Sequence, residues 1–354
     1  MSDSIRQTIN KLGLSREMLY SVGYQATAIM AAFLVGALVL YATGYNPVDA
    51  YISMATGAFG DTFGIGQTFT QATPIIFTSL AFLICIKAGL FNIGAEGQFL
   101  MGAMGATIVG IYVKGLPWFI HVPLTMIAGM VLGGLWGLIP AVLKTRFEAH
   151  EVITTMMLSY VAKDLTSYMV NYPIKASGWV SQTVKIETTA ELTRILPPTQ
   201  LSGAIFVAVL FVILTQFLLR NTVLGYELRA IGLNPTTAEN SGININRGII
   251  IAMILGGAFA GLGGACEIMG VHQRFIDGFS PGYGWDGLAV ALVGGLHPVG
   301  VLLASILFGA LRSGGMIVAR VIKVPQDLIS LLQGLVIVFV AAPMLIRSLL
   351  RRRR

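Results

Sequence analysis

VPLTMIAGMVLGGLWGLIPAVL, the stretch from Val122 to Leu143, runs for twenty-two residues without a charged side chain. A helix rises about 1.5 Å per residue, so such a run is long enough to cross the ~30 Å hydrocarbon layer of a bilayer. Similar stretches lie on both sides of it: Val22–Thr43, Ala72–Ala88, Gln98–Val113, Val152–Tyr172, Leu201–Leu219, Gly248–Gly270, Asp286–Leu311 and Asp327–Leu349. Over the whole chain of 354 residues, 55% are hydrophobic, 11% are charged and the mean hydropathy is +0.78. An average soluble domain is roughly one-quarter charged. This chain has too few charges to cover a surface in water. In lipid every backbone amide must be satisfied within the protein, and long apolar runs select helices over the alternating strands of a barrel. The expected fold is an all-α, polytopic membrane bundle.

Its organisation follows from charge placement. Region Asp286–Leu311 is read as two short segments split at Gly294-Gly295-Leu296-His297-Pro298, which gives about ten membrane elements and puts both termini in the cytoplasm. Arg6, Lys11, Arg16, Lys87, Lys144, Arg146, Arg220, Arg229, Arg247, Arg347 and Arg351 to Arg354 then lie inside; Lys114, Lys175, Lys185, Arg194, Arg274, Arg312, Arg320 and Lys323 lie outside. The excess inside has the sign that anchors bacterial inner-membrane proteins. The expected domains are a cytoplasmic segment over 1–21, a transmembrane domain over 22–349 and a basic tail over 350–354. An external loop spans about 171–200, and a cytoplasmic loop spans about 220–247. Gly94, Glu96, Gly97 and Gly105 align with Gly284, Asp286, Gly287 and Gly295 at an offset of 190 residues. The topology puts the first set at a cytoplasmic helix end and the second at an outer one, as in inverted-topology halves. The forty-two glycines favour close approach of membrane helices.

Several functions are disfavoured by what the sequence lacks. There is no G-x-x-x-x-G-K-[ST] run to cradle phosphates, no H-E-x-x-H and no Cys/His cluster. Cys85 and Cys266 both sit in apolar segments and read as packing residues. The net charge of +7 collects beside apolar segments rather than in a basic stripe with aromatics, which argues against nucleic acid. The N-terminus lacks the pattern of a cleaved signal. No nucleophile–base or metal constellation marks an enzyme.

The inside loop reads GYELRAIGLNPTTAENSGIN from Gly225 to Asn244. Glu227, Arg229 and Ala230 suit a short helix. Asn234-Pro235 breaks it, Thr236 is placed to cap a second helix around Glu239, and Gly242 ends that one. Such a hairpin is either a dock for a soluble partner or an ordinary solvated loop. The stretch resembles the ATPase-coupling loop of permeases in the branched-chain amino acid, ribose and nucleoside group of ATP-binding-cassette importers. KAGLFNIGAEGQFLMGA (Lys87–Ala103), EVITTMMLSY (Glu151–Tyr160), FSPGYGWDGLAVALVGG (Phe279–Gly295) and HPVGVLLASILFGAL (His297–Leu311) resemble the nucleoside branch. Where this chain has His150 and His297, that branch usually has Asn. The resemblance implies a permease subunit that moves a nucleoside or small sugar inward by alternating access. It implies partners too: ATPase subunits that hold the ATP and Mg, a second permease that is usually a different chain, and an external substrate-binding lipoprotein. No cofactor is expected on this chain.

Charges inside membrane segments are costly and tend to face a cavity or a partner. Glu96 is either a carboxylate satisfied by free amides at a helix start or, with Phe91, Asn92 and Gln98, part of a solute path in which a ring stacks on a base. Glu267 and Asp286 are further path candidates, and Lys163 is read as lining a polar interface. A different reading makes Glu96, Lys163, Asp164, Glu267 and Asp286 the relay of an ion-coupled transporter. Trp118, Trp179 and Tyr172 are expected in the interfacial belt.

Overall fold

The structure, a computed structural model, describes residues 16–351. Residues 1–15 of the expected N-terminal segment and 352–354 of the basic tail lie outside the described residues. Among the described residues there are thirteen α-helices: α1 Arg16–Ala42, α2 Pro47–Phe59, α3 Thr62–Lys87, α4 Ala95–Tyr112, α5 Trp118–Phe147, α6 Glu151–Asn171, α7 Ala204–Asn221, α8 Val223–Leu233, α9 Pro235–Asn240, α10 Ile245–Glu267, α11 Tyr283–Val293, α12 Pro298–Val321 and α13 Gln326–Arg351. A π-helical turn, Ile268–His272, extends α10. Every apolar stretch of the sequence is helical, and the region 286–311 breaks into α11 and α12 at the expected glycines. Among the described residues, five helices are long and apolar enough to cross a bilayer: α3, α5, α7, α12 and α10 with its π turn.

Two features were not visible as spans. Helix α2 carries Asp49 among small and polar residues, and α3 begins ten residues before Ala72. The early turns of α3 hold Thr68, Thr70 and Thr73, which look too polar for a span. Their hydroxyls are satisfied at short range: Thr70 donates to Gly66 O at 2.8 Å, Thr73 to Phe69 O at 2.7 Å, and Thr68 to Ala58 O at 3.0 Å. Asp61 caps the helix, its Oδ1 accepting from Gly64 N at 2.6 Å.

The chain divides into two compact units. In the unit spanning residues 55–314, α3 is buried from Gly64 to Cys85 on most of its surface, and α4, α7, α10 and α11 pack on it. Helix α5 shows why. Gly129, Gly133 and Gly137 form one stripe on α5; the first two are set against Gly257 and Gly261 of α10, and Gly137 against the Met253 carbonyl, at backbone distance. Ile127, Val131, Leu135 and Ile139 form the opposite, exposed stripe. Small residues bring the backbones together where the hydrophobic effect cannot, and the branched face is left for lipid. The other unit, residues 16–54 and 315–351 of the description, pairs α1 with α13. Within it the Tyr51 hydroxyl donates to Phe33 O at 2.7 Å.

In the larger unit, the segment 171–203 straps the ends of several helices. Glu187 N donates to Gly110 O, Thr183 N to Phe275 O and Leu192 N to Met269 O. His121 Nδ1 meets Thr189 Oγ1 at 2.8 Å. Helices α8 and α9 lie at the opposite end.

Candidate functional site

A cleft of about 210 Å³ opens between the start of α4, one face of α6 and the segment leading into α11. Glu96, Ser159, Lys163, Asp277, Ser280 and Trp285 line it. Ser159, Lys163 and Thr166 recur at i, i+4 and i+7, so one stripe of α6 faces the cleft.

The floor is the crossing of two helix starts. Gly284 N donates to Glu96 Oε2 at 2.6 Å. A Cβ on Gly284 would overlap the backbone of Glu96, so only glycine lets α11 reach α4 here. Thr78 of α3 donates to Tyr283 O at 2.8 Å and holds the α11 start from behind. Arg312 of α12 forms an ion pair with Asp286 and lies 4.9 Å from the Tyr283 ring centroid. The Tyr283 hydroxyl donates to Gln71 Oε1 at 3.0 Å. Both the carboxylate and the guanidinium in this layer are therefore held, as charges at membrane depth must be.

This crossing corrects the expected placement of the repeat. Gly94–Gly97 and Gly284–Gly287 do not lie at opposite membrane faces; their helix starts touch inside the bundle. From there the helices diverge. The far end of α4 reaches the 171–203 strap, where Gly110 O accepts from Glu187 N. Beyond α11, His297 Nε2 accepts from Arg220 Nη2 at 3.1 Å, at the end where α8 begins. Arg312 is likewise not in an outer loop but inside α12.

The sequence-derived candidates separate. Glu96 lines the cleft and Asp286 stands behind it on Arg312. Asn92 and Gln98 are buried and bonded to each other, Asn92 Nδ2 donating to Gln98 Oε1 at 3.1 Å, while Asn92 Oδ1 accepts from Gly94 N at 2.9 Å. Their amides set the turn into α4. Phe91 stacks edge-on with Phe82. Glu267 lies 3.5 Å from His272 on the π turn, outside the cleft lining. Asp277 and Ser280 were missed because they sit in an irregular segment with no periodicity, and Trp285 because it stands in the first turn of α11 among apolar residues. Asp277 Oδ2 accepts from Ser167 Oγ at 2.8 Å and Asn171 Nδ2 at 3.1 Å, which ties that segment to the end of α6.

At the other end, α8 and α9 form the expected hairpin. Thr222 caps α8, accepting from Gly225 N at 3.1 Å. The cap of α9 is Asn234, accepting from Thr237 N at 3.1 Å, rather than Thr236; Pro235 fills the first helical position, where its missing N–H costs nothing. Gly242 takes φ +82° after the last turn. Leu228 and Ile231 are buried against the bundle, and Gly232 packs on Lys87 O so closely that a side chain would collide. Tyr226, Arg229, Leu233, Asn234 and Glu239 are exposed, and Leu233 is 87% exposed. Glu227 and Ala230 are half-buried.

Helices over every apolar stretch, gathered around a charged interior, define a polytopic helical membrane protein. Residues 64–341 match the family model described as "Branched-chain amino acid transport system / permease component". The chain belongs to that permease family. It is 37% identical over 326 residues to the Guanosine ABC transporter permease protein NupP of Bacillus subtilis, covering 90% of this chain and 93% of that one. It is 36% identical over 328 residues to the Glucose ABC transporter permease protein TsgB13 of Haloferax volcanii, covering 90% and 86%. It is 32% identical over 337 residues to the Nucleoside ABC transporter permease protein NupB of Lactococcus lactis, covering 92% of each. No solved structure matches the chain.

Proposed function

We propose that the chain is the membrane-spanning permease subunit of an ATP-binding-cassette importer that carries nucleosides inward. The observation that carries this reading is near-full-length similarity to two permeases whose names specify guanosine or nucleosides, joined to an exposed hairpin seated on the bundle. The chain itself performs no catalysis and binds no cofactor; ATP and Mg belong to a separate ATPase subunit. Helices α8 and α9 face the cytoplasm with both termini, and the exposed side chains Tyr226, Arg229 and Leu233 enter a groove of that ATPase. A second permease, a different chain, completes the path, and an external lipoprotein delivers the solute over the 171–203 strap.

The hairpin packs directly on the helices that lead to the cleft. Gly232 abuts Lys87 O at the end of α3, and α3 meets the α11 start through Thr78, so a push on the hairpin reaches the cleft floor through contiguous helices. Two coupled sites and two global states are what allosteric transport requires. The glucose-named relative makes a sugar the second reading of the solute.

Uptake of radiolabelled guanosine, in cells lacking the gene and then complemented with it, tests the proposal. Uptake should require an active ATPase partner, and unlabelled nucleosides should compete while glucose should not. Competition by glucose alone would replace the solute. Uptake that persists without the ATPase and collapses with an ionophore would overturn the mechanism in favour of ion coupling.

A further inference from the structure

We propose that the cleft between α4 and α6 is a sugar-hydroxyl subsite on the solute path, with Glu96 as its acceptor and Lys163 as its donor. The inference rests on the nucleoside reading above and assigns the part of the solute that these residues read.

Lys163 is the thirteenth residue of the twenty-one in α6, so its ammonium stems from the middle of that helix. It is exposed, and among the described residues no carboxylate forms an ion pair with it. A bare ammonium against lipid is costly, so a polar space must lie in front of it. That space is the cleft, and Glu96 shares it. Glu96 is 8% exposed, and it is held by the Gly284 amide and by the Ser280 hydroxyl. A carboxyl group has two oxygens with more lone pairs than these two bonds use, so acceptor capacity remains for a ligand.

The rest of the lining narrows the chemistry. A single ammonium facing Glu96 and Asp277 gives no net attraction for a phosphate. Ser159, Thr166 and Ser280 add hydroxyls; Ser159 already donates to Thr155 O at 3.2 Å and Thr166 to Lys163 O at 3.0 Å, so these two offer a ligand acceptor capacity. A neutral ligand whose own groups donate and accept at short spacing fits this set, and a ribose ring with vicinal hydroxyls is such a ligand. Tyr160 and Trp285 supply flat apolar faces at the rim, suited to a heterocycle. The donor and acceptor stand on separate helices, α6 and α4. Relative movement of those helices would open the pair and release the sugar.

The test compares guanosine with 2′-deoxyguanosine at concentrations that saturate the external binding subunit, so that the ratio of maximal rates reports on the permease. The complete transporter should move the ribonucleoside faster. Glu96→Gln and Lys163→Met should each lower the guanosine rate by roughly tenfold, the loss of one charge-assisted hydrogen bond, and bring the ratio close to one. Damage to the fold alone would slow both solutes equally and keep the ratio. Lys163→Arg keeps a donor and should restore part of the preference. A wild-type ratio of one, or variants that retain the wild-type ratio, would overturn the subsite. Absence of uptake of both nucleosides by the wild-type transporter would instead remove the nucleoside reading on which it stands.

Discussion

Gly284 shows how much one residue decides. Its missing side chain lets two helix starts meet, and its amide satisfies a carboxylate that lipid would not tolerate. Gly284→Ala would drive a methyl into the Glu96 backbone, and overpacking of this kind typically costs about 1–3 kcal/mol. The expected outcome is a lower unfolding temperature in detergent, together with loss of transport. Gly334→Ala is the control. Nothing lies within 4 Å of a Cβ there, so the helical Gly-to-Ala change should be neutral or stabilising by up to about 1 kcal/mol. Equal destabilisation by both would show that the crossing at Gly284 is not close-packed.

At the scale of elements, the hairpin separates packing from display. Leu228 and Ile231 face inward, while Tyr226 and Leu233, on the same short helix, are exposed. Leu233→Asp should therefore leave membrane insertion and thermal stability unchanged but abolish co-purification of the ATPase; retained co-purification with normal uptake would remove α8 from the interface. The hairpin was largely legible in the sequence, because Asn-Pro and Gly punctuate backbone geometry locally; only the cap moved, from Thr236 to Asn234. The apolar spans were legible for the same reason that lipid selects them. Helix α2 and the early turns of α3 were not, since their polar groups are paid for by hydrogen bonds that no hydropathy count contains. The cleft was half legible. Ser159, Lys163 and Thr166 sit at helical spacing, and Glu96 stands out as a charge in an apolar run. Asp277 and Ser280 belong to an irregular segment whose position is fixed by Thr183, Ser167 and Asn171, far away in sequence, and Trp285 stands in the first turn of the helix that follows it.

At the scale of the whole molecule, the chain has a direction. Helices α3, α5 and α7 finish at the end that carries α8, whereas α4 and α6 finish at the 171–203 strap, as Gly110 and Asn171 show by their bonds to it. Basic residues follow this division. Lys87, Lys144, Arg146, Arg220, Arg229 and Arg247 all fall at the hairpin end, and removing Arg312 from the outer loops leaves fewer cations on the other side than sequence alone assigned. Positive charge resists translocation, so the hairpin end should be cytoplasmic. Cysteine labelling decides the point. The native Cys85 and Cys266 are buried and should stay silent toward a membrane-impermeant maleimide. With Trp179→Cys in the strap, intact cells should label at once, since that position is fully exposed. With Thr236→Cys in the hairpin, labelling should appear only after the membrane is permeabilised. The reverse pattern would invert the protein, place the hairpin beyond the reach of any cytoplasmic ATPase and remove the physical basis for an ATP-driven importer.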